Sequence, residues 1–367
     1  MPSFASKRRQ AGKHFAPKKE QLIKVVSIGG GTGQSNTIKA LISLGIKVSA
    51  VVSMVDDGGS TGILRDKAQM LATGDVRRCL SAMAQDGDEP LVKAFEHRFP
   101  YADNHSLGNL ILTALTQETD SFAEAIDLCA RLLHIKGAVL PSTLEPVTLA
   151  GKTKDGQEFA GEACLGKGPA ALEQVWLEPK DAQVYQPVLQ AILEADAIVL
   201  GPGSLFTSII PNLLVPGILS AIKTVRKKRK IPLIFVGPIA DMQGETWGLS
   251  TEEHVLALEA HGLKGLIDVA LLHKKKNPDL GVATRSFQAL TKEQVAQDAF
   301  MREQSDGKQN FVRPVDLQDE AFERLNDRIP VVLCRDFSEE GRPTWHSVCK
   351  LASALKGVIP ACHLVQK

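Results

Sequence analysis

The first apolar run of the chain breaks directly into glycines, and this junction narrows the possible folds more than any other stretch. Val25-Val26-Ser27-Ile28 reads as a buried strand and is followed by Gly29-Gly30-Gly31-Thr32-Gly33. Residues 34–44 then carry Ile38, Leu41 and Ile42 on one helical face and stop at Gly45. Strand, glycine loop and helix in that order open a doubly wound, mostly parallel α/β sheet. The start of such a helix leaves backbone N–H groups unpaired, glycines let an anion approach them, and the helix dipole favours negative charge there. A phosphate is therefore expected at Gly29, Gly30, Gly31, Thr32 and Gly33. The plainer reading is a turn that only joins strand to helix, but four glycines in five residues exceed what a turn needs.

The loop is neither a dinucleotide fingerprint nor a Walker A loop. The third glycine of Gly-x-Gly-x-x-Gly would fall at Gln34, or at Asn36 if counted from Gly31, and no Gly-Lys-Ser/Thr follows.

A net charge of +1 spread over 367 residues gives bulk nucleic-acid binding no electrostatic support. Residues 1–20 are the exception, and with Lys7, Arg8, Arg9, Lys13, Lys18 and Lys19 they read as a basic, disordered tail. No stretch reaches the ~20 apolar residues of a transmembrane helix, and no apolar signal region opens the chain. The six cysteines are scattered without a Cys-x-x-Cys. Reduced core thiols and a cytoplasmic location are the expectation.

Three more stretches suit a polar ligand. A second strand from about 48 to 55 ends in Asp56-Asp57-Gly58-Gly59-Ser60-Thr61-Gly62. Adjacent carboxylates at the C-terminal edge of a strand suit a polar ligand or a divalent cation, although Asp and Gly are also ordinary turn residues. Thr73-Gly74-Asp75-Val76-Arg77-Arg78 opens a helix, where capping alone accounts for Asp75. Asn104-His105-Ser106-Leu107-Gly108-Asn109 opens another, with His105 and Asn109 four residues apart on one face; a cap or surface role is the competing reading for His105.

From 139 to 180 the texture turns β-rich, with an Asp155-Gly156 hairpin turn and no evident chemistry. The α/β rhythm then resumes, and the strand 197–200 runs into Gly201-Pro202-Gly203-Ser204-Leu205-Phe206-Thr207-Ser208, a second possible anion nest. Strands at 231–236, 266–272 and 329–333 follow, with helices near 251–261, 292–300, 319–325 and 347–356. Residues 21–360 are expected to form one α/β domain, with 139–180 an insertion in it. No His/Cys metal-ligand spacing is present.

The loops at 29–33, 56–62 and 201–208 resemble, in order and wording, the family joining YvcK-type gluconeogenesis factors to CofD-type 2-phospho-L-lactate transferases. Four further blocks keep that order: Thr73-Gly74-Asp75-Val76-Arg77, His105-Ser106-Leu107-Gly108-Asn109-Leu110, Pro211-Asn212-Leu213-Leu214-Val215-Pro216-Gly217 and Gln243-Gly244-Glu245-Thr246. The resemblance covers about residues 24–272, and its wording is closer to the YvcK branch. It implies a CofD-like Rossmann-type fold binding a nucleotide diphosphate: a UDP-sugar, chiefly UDP-N-acetylglucosamine, in the YvcK branch, whose members support gluconeogenic growth, cell shape and wall synthesis. In the CofD branch it implies Mg²⁺-dependent transfer of a phospholactyl group from a guanosine diphosphate carrier. The chain departs from the usual wording at Thr61-Gly62-Ile63 and at 240–246, both near the presumed ligand edge.

The resemblance implies a nucleotide site of Gly29, Gly30, Gly31, Thr32, Gly33, Asp56, Asp57, Gly58, Gly59, Ser60, Asp75, Arg77, His105, Asn109, Gly201, Gly203, Ser204, Thr207 and Asn212. In the transferase reading Asp56 and Asp57 hold Mg²⁺. The expected partner is a UDP-sugar or another nucleotide diphosphate; a homo-oligomer is left open, and no residue is assigned as catalytic. The choice between binding factor and transferase stays open, because a bound diphosphate needs the same donors in both. An NAD(P) oxidoreductase is disfavoured by the missing third glycine.

Overall fold

The computed structural model describes residues 22–164, 170–242, 245–274, 302–305, 308–315 and 317–364. The basic tail 1–20, the helix expected at 292–300, and Gln243 and Gly244 lie outside the described residues.

The chain begins with β1 (Lys24–Gly29), α1 (Gly31–Ser43), β2 (Lys47–Val52), α2 (Gly59–Ala68), α3 (Gly74–Met83) and α4 (Pro90–Glu96). A two-residue ladder of β3 (Arg98–Phe99) and β4 (His105–Ser106) leads into α5 (Leu107–Thr119), α6 (Phe122–Leu132) and β5 (Gly137–Pro141). Next come β6 (Thr148–Thr153), β7 (Glu158–Ala160), a 3₁₀ turn at Glu162–Cys164, β8 (Leu172–Glu178), α7 (Gln186–Glu194) and β9 (Ala197–Leu200). A wide π-type turn, Leu205–Ile209, continues into α8 (Ile210–Leu214), followed by α9 (Ile218–Arg229), β10 (Leu233–Val236), β11 (Ala240–Met242), α10 (Thr251–Leu258) and β12 (Val269–His273). The described remainder is β13 (Arg302–Ser305), β14 (Lys308–Pro314), α11 (Asp319–Arg328), β15 (Val331–Arg335), β16 (Ser338–Glu339), β17 (Arg342–His346) and α12 (Val348–Leu364).

Seven strands form one central sheet in the order β15-β12-β10-β9-β1-β2-β5, with every neighbouring pair parallel. The interior strands are short apolar runs because helices cover both faces: all four residues of β9 and all four of β10 are buried. The chain leaves β1 towards β2 and β5, then returns to β9 on the other flank of β1 and proceeds through β10, β12 and β15. The order thus reverses between β1 and β9. In doubly wound sheets the crevice outside the carboxyl ends of strands at such a reversal collects ligands.

Gln34 stands where a dinucleotide fold would place its third glycine, and it is fully buried. Its Nε2 donates to the carbonyls of Ser27 on β1 and Val51 on β2, each at 3.0 Å, so this side chain clamps two central strands. The C-terminal part closes on the same helix: Asn36 Nδ2 donates to the His346 carbonyl at 2.9 Å.

The β-rich segment starts later than the sequence suggests. Val139 to Pro141 belong to β5, the edge strand of the central sheet, and the separate antiparallel sheet β7-β6-β8 begins at Thr148. An edge strand buried on the sheet side and a half-buried strand of an insertion carry similar apolar runs, so periodicity does not part them. Among the described residues no single helix is long and apolar enough to cross a membrane.

Candidate functional site

The loops after β1, β2 and β9 all leave the carboxyl edge of the central sheet, and the first and third lie on either side of the reversal. They are packed together closely. A Cβ on Gly33 would stand 2.5 Å from the Pro202 carbonyl oxygen, and one on Gly203 would stand 3.0 Å from the Gly30 carbonyl. Asn212, fully buried on α8, donates through Nδ2 to the carbonyls of Gly29 (3.0 Å) and Ser208 (2.6 Å), tying the two glycine loops to one side chain.

Within the first loop the glycines differ. Gly30 is the extended N-cap of α1, and a Cβ there would run into the Asp75 carboxylate and Ser208. Gly31 has φ +66°, a left-handed conformation that disfavours side chains, and a Cβ there would meet nothing within 4 Å. The first turn of α1, which includes Thr32, holds no acidic residue and its N-cap no capping side chain. A helix start with this charge and open space beside Gly31 can take an anion.

The second glycine loop, after β9, is already occupied. Glu245, from the loop after β11, aims its carboxylate at the helix start following Ser204. It accepts from the Ser204 hydroxyl and the Phe206 N–H (3.0 Å), and Thr207 N–H also bonds it. Ser204 itself caps Thr207 N–H at 3.0 Å. The anion nest read in 201–208 is thus filled by the chain's own carboxylate.

Asp56 follows β2. Its Oδ1 accepts from Gly58 N–H at 3.0 Å, and α2 starts at Gly59. Asp57 Oδ2 accepts from Glu162 N–H at 3.1 Å, so the 3₁₀ turn of the insertion folds onto the aspartate loop. A Cβ on Gly161, at φ +90°, would stand 2.8 Å from that same oxygen. Burial raises the Asp56 pKa above the usual carboxylate range, and the Asp75 charge adds to it, against Gly58 N–H, Arg78 and Thr61. Glu162 is pushed well above its usual range, first by burial and then by Asp56, Asp75, Glu245 and Asp57. Its Oε2 is sealed from solvent with no hydrogen-bond partner. Glu245 is also raised by burial, opposed by the bonds from Ser204, Phe206 and Thr207. Cations bond to this group: Arg78 Nη1 donates to Asp75 Oδ1 at 2.7 Å, and Arg65 Nη1 to the Asp56 carbonyl at 3.0 Å.

Arg77, Ser60, His105 and Asn109 form a neighbouring buried network. Arg77 donates to Asn109 Oδ1 and to Glu96, so its hydrogen bonds brace α3 against α4 and α5. Burial, then the nearby Arg78 and Arg98, lowers the Arg77 pKa to about 9. Ser60 Oγ lies 2.7 Å from His105 Nδ1.

The structure therefore brings the sequence candidates to one edge, with Arg77 bonded away from the glycine loops. Two carboxylates were not foreseen. Glu245 stands in a block that carried the resemblance, so a signal existed; Glu162 lies in the insertion, and nothing in its local pattern marks it.

A family model described as 2-phospho-L-lactate transferase CofD matches residues 25–314. A gluconeogenesis factor of Halalkalibacterium halodurans is 39% identical over 255 residues, spanning 68% of this chain and 77% of that protein. One from Listeria monocytogenes is 37% identical over 264 residues, 71% of this chain and 80% of that protein. A crystal structure of a UPF0052-family protein from Bacillus halodurans superposes with TM-score 0.77 at 31% identity, over 92% of this chain and 99% of that one. A matched span running from the first strand of the sheet through every glycine and aspartate loop of the site leaves one conclusion: the chain belongs to the CofD family, beside the proteins named gluconeogenesis factors.

Proposed function

We propose that the chain binds a nucleotide sugar of the UDP-N-acetylglucosamine kind at the carboxyl edge between β1 and β9 and acts as a regulatory factor linked to gluconeogenic growth, cell shape and wall synthesis. The observation that carries this reading is the start of α1. It lies at the reversal of the sheet, lacks an acidic first turn, and has open space beside a left-handed Gly31. The diphosphate sits against Gly31, Thr32 and Gly33. Asp56, Asp57 and the Ser60–His105–Asn109 group surround the sugar and ribose hydroxyls. The names of the curated relatives support the link to gluconeogenesis.

A second reading, a phospholactyl transferase of the CofD kind with Mg²⁺, draws on the unpartnered Glu162 Oε2 beside Asp56 and Asp57. Carboxylate oxygens are the right donors for a hard cation. As arranged, no three acidic or histidine side chains among the described residues stand close enough to share one. The donor set fits Mg²⁺ in kind, since Mg²⁺ takes one or two carboxylates beside substrate phosphates; the names of the gluconeogenesis-factor relatives favour the binding factor.

The test is calorimetric titration of UDP-N-acetylglucosamine into wild type, Asp56→Asn and Asp57→Asn, each with EDTA and with Mg²⁺. Binding that weakens in either variant and survives EDTA supports the first reading. A loss reproduced by EDTA transfers support to the second. Unchanged affinity throughout removes the aspartates from the site.

A further inference from the structure

Behind the glycine loops runs a hydrogen-bond chain whose direction is fixed from one end. Arg77 Nε can only donate, and its partner at 3.2 Å is Asn109 Oδ1. With its oxygen held there, Asn109 presents Nδ2 to Ser60 Oγ at 3.2 Å, and an amide nitrogen can only donate. Ser60 Oγ, having received that proton, lies 2.7 Å from His105 Nδ1. Among the described residues the partners of Ser60 Oγ are Asn109 Nδ2, which cannot accept, and His105 Nδ1, so the arrangement that uses the Ser60 proton makes Nδ1 its acceptor and leaves the ring proton on Nε2. Arg77, Asn109, Ser60 and His105 are all buried, and a hydrogen bond away from bulk water is electrostatically stronger.

The folding of each element sets this alignment. Ser106 caps α5 by accepting from Asn109 N–H at 3.3 Å, which fixes Asn109 in the first turn. Glu96, at the end of α4, holds the other side of the Arg77 guanidinium. Ser60 lies in the first turn of α2, immediately after the aspartate loop.

We infer that Arg77 is a positioning residue: acting through Asn109 and Ser60, it fixes the tautomer of His105 so that the ring offers a neutral Nε2–H donor to an oxygen of the bound ligand. The ligand half of this statement rests on the nucleotide-sugar reading; the tautomer does not. Recognition at His105 then depends on a dipole of fixed direction and not on an imidazolium charge.

The isosteric change Asn109→Asp reverses the chain. An aspartate still accepts from Arg77 but has nothing to donate, so Ser60 gives its proton to residue 109 and Nδ1 of His105 must donate to Ser60. Arg77→Lys keeps a charge for Glu96 and removes the Nε donor, freeing the Asn109 amide to turn.

The experiment uses the full chain labelled with ¹⁵N-histidine and long-range ¹H–¹⁵N correlation, with His105 assigned from the His105→Gln spectrum and folding followed by circular dichroism. In wild type without ligand, Nδ1 should resonate as an unprotonated and Nε2 as a protonated nitrogen. In Asn109→Asp, Nδ1 should become protonated; in Arg77→Lys both signals should move towards a mixture. Affinity for UDP-N-acetylglucosamine should fall about tenfold in Asn109→Asp, the loss of one buried hydrogen bond. A protonated Nδ1 in wild type overturns the inference, as do folded variants whose His105 signals match wild type. Should either variant fail to fold, the wild-type spectrum still decides the tautomer. The expected tautomers with no heat of UDP-sugar binding would sink the ligand reading and leave the relay standing.

Discussion

A Cβ at Gly31 would meet no atom within 4 Å, whereas one at Gly33 would press on the Pro202 carbonyl and one at Gly30 on Asp75 and Ser208. Three glycines of one loop thus answer to different demands. Gly31→Ala should cost about 1–2 kcal/mol of stability for its left-handed φ. It should cost more than tenfold in UDP-sugar affinity, because the methyl group enters the space the phosphate needs. Gly33→Ala should instead lower the melting temperature sharply. Calorimetry and thermal unfolding on both variants check this, and normal binding by folded Gly31→Ala would remove the loop as the phosphate seat. The glycine cluster was legible in the sequence because four glycines at a strand end have few other uses. Which glycine stands against open space was not, since the answer depends on Asp75, Pro202 and Ser208, far away in the chain. Arg77 shows the same limit: its block was legible, but its partners Glu96 and Asn109 belong to other helices.

At the scale of elements, the alternation of short apolar strands with helices made the doubly wound sheet readable, and the glycine and aspartate loops marked its carboxyl edge. The second glycine loop reads from the sequence as a possible anion nest because glycines and small hydroxyls gather at a strand end, as glycines do after β1. What separates the two loops is Glu245, a carboxylate some forty residues later. The bonds from Ser204 and Phe206 both fall on one oxygen, Oε1. Glu245→Gln can keep that oxygen and shed a charge that burial disfavours, so its stability should lie within about 1 kcal/mol of wild type at neutral pH. Glu245→Ala leaves the buried Phe206 N–H without its acceptor, while Thr207 N–H keeps Ser204 Oγ, and should lose about 1–3 kcal/mol. Urea unfolding of the two variants distinguishes them. An alanine variant as stable as wild type would mean that Glu245 is not what holds the start of the turn at Leu205–Ile209.

Across the whole molecule, the site is where carboxylates from distant parts of the chain converge: Asp56 after β2, Asp75 on α3, Glu162 from the insertion and Glu245 after β11. Burial raises Asp56, Glu162 and Glu245, and repulsion adds to it, from Asp75 at Asp56, from Asp56, Asp75, Glu245 and Asp57 at Glu162, and from Asp241 at Glu245, so the ionised cluster opposes folding. The linkage has a definite sign. A carboxylate with a raised folded-state pKa contributes stability in full below its unfolded value, 4.5 for Glu162, and loses it as pH rises through the folded value. Other groups run the opposite way. Burial lowers His346 to about 3 and also lowers His254 and His261, so each contributes above its unfolded value and ceases to as pH falls. Asp336, lowered to about 2 by its bonds from Lys350 and Ser338 against burial, likewise loses its contribution only in strong acid. A single melting profile mixes these opposed effects, but the difference between wild type and Glu162→Gln cancels all except the cluster. Glutamine stands in for the protonated acid at every pH. The variant should therefore be the more stable of the two at about pH 8, and its advantage should shrink steadily towards about pH 5. Urea unfolding of both proteins across that range measures it. Parallel profiles would mean that Glu162 keeps an ordinary pKa and that the insertion does not carry its carboxylate into the site.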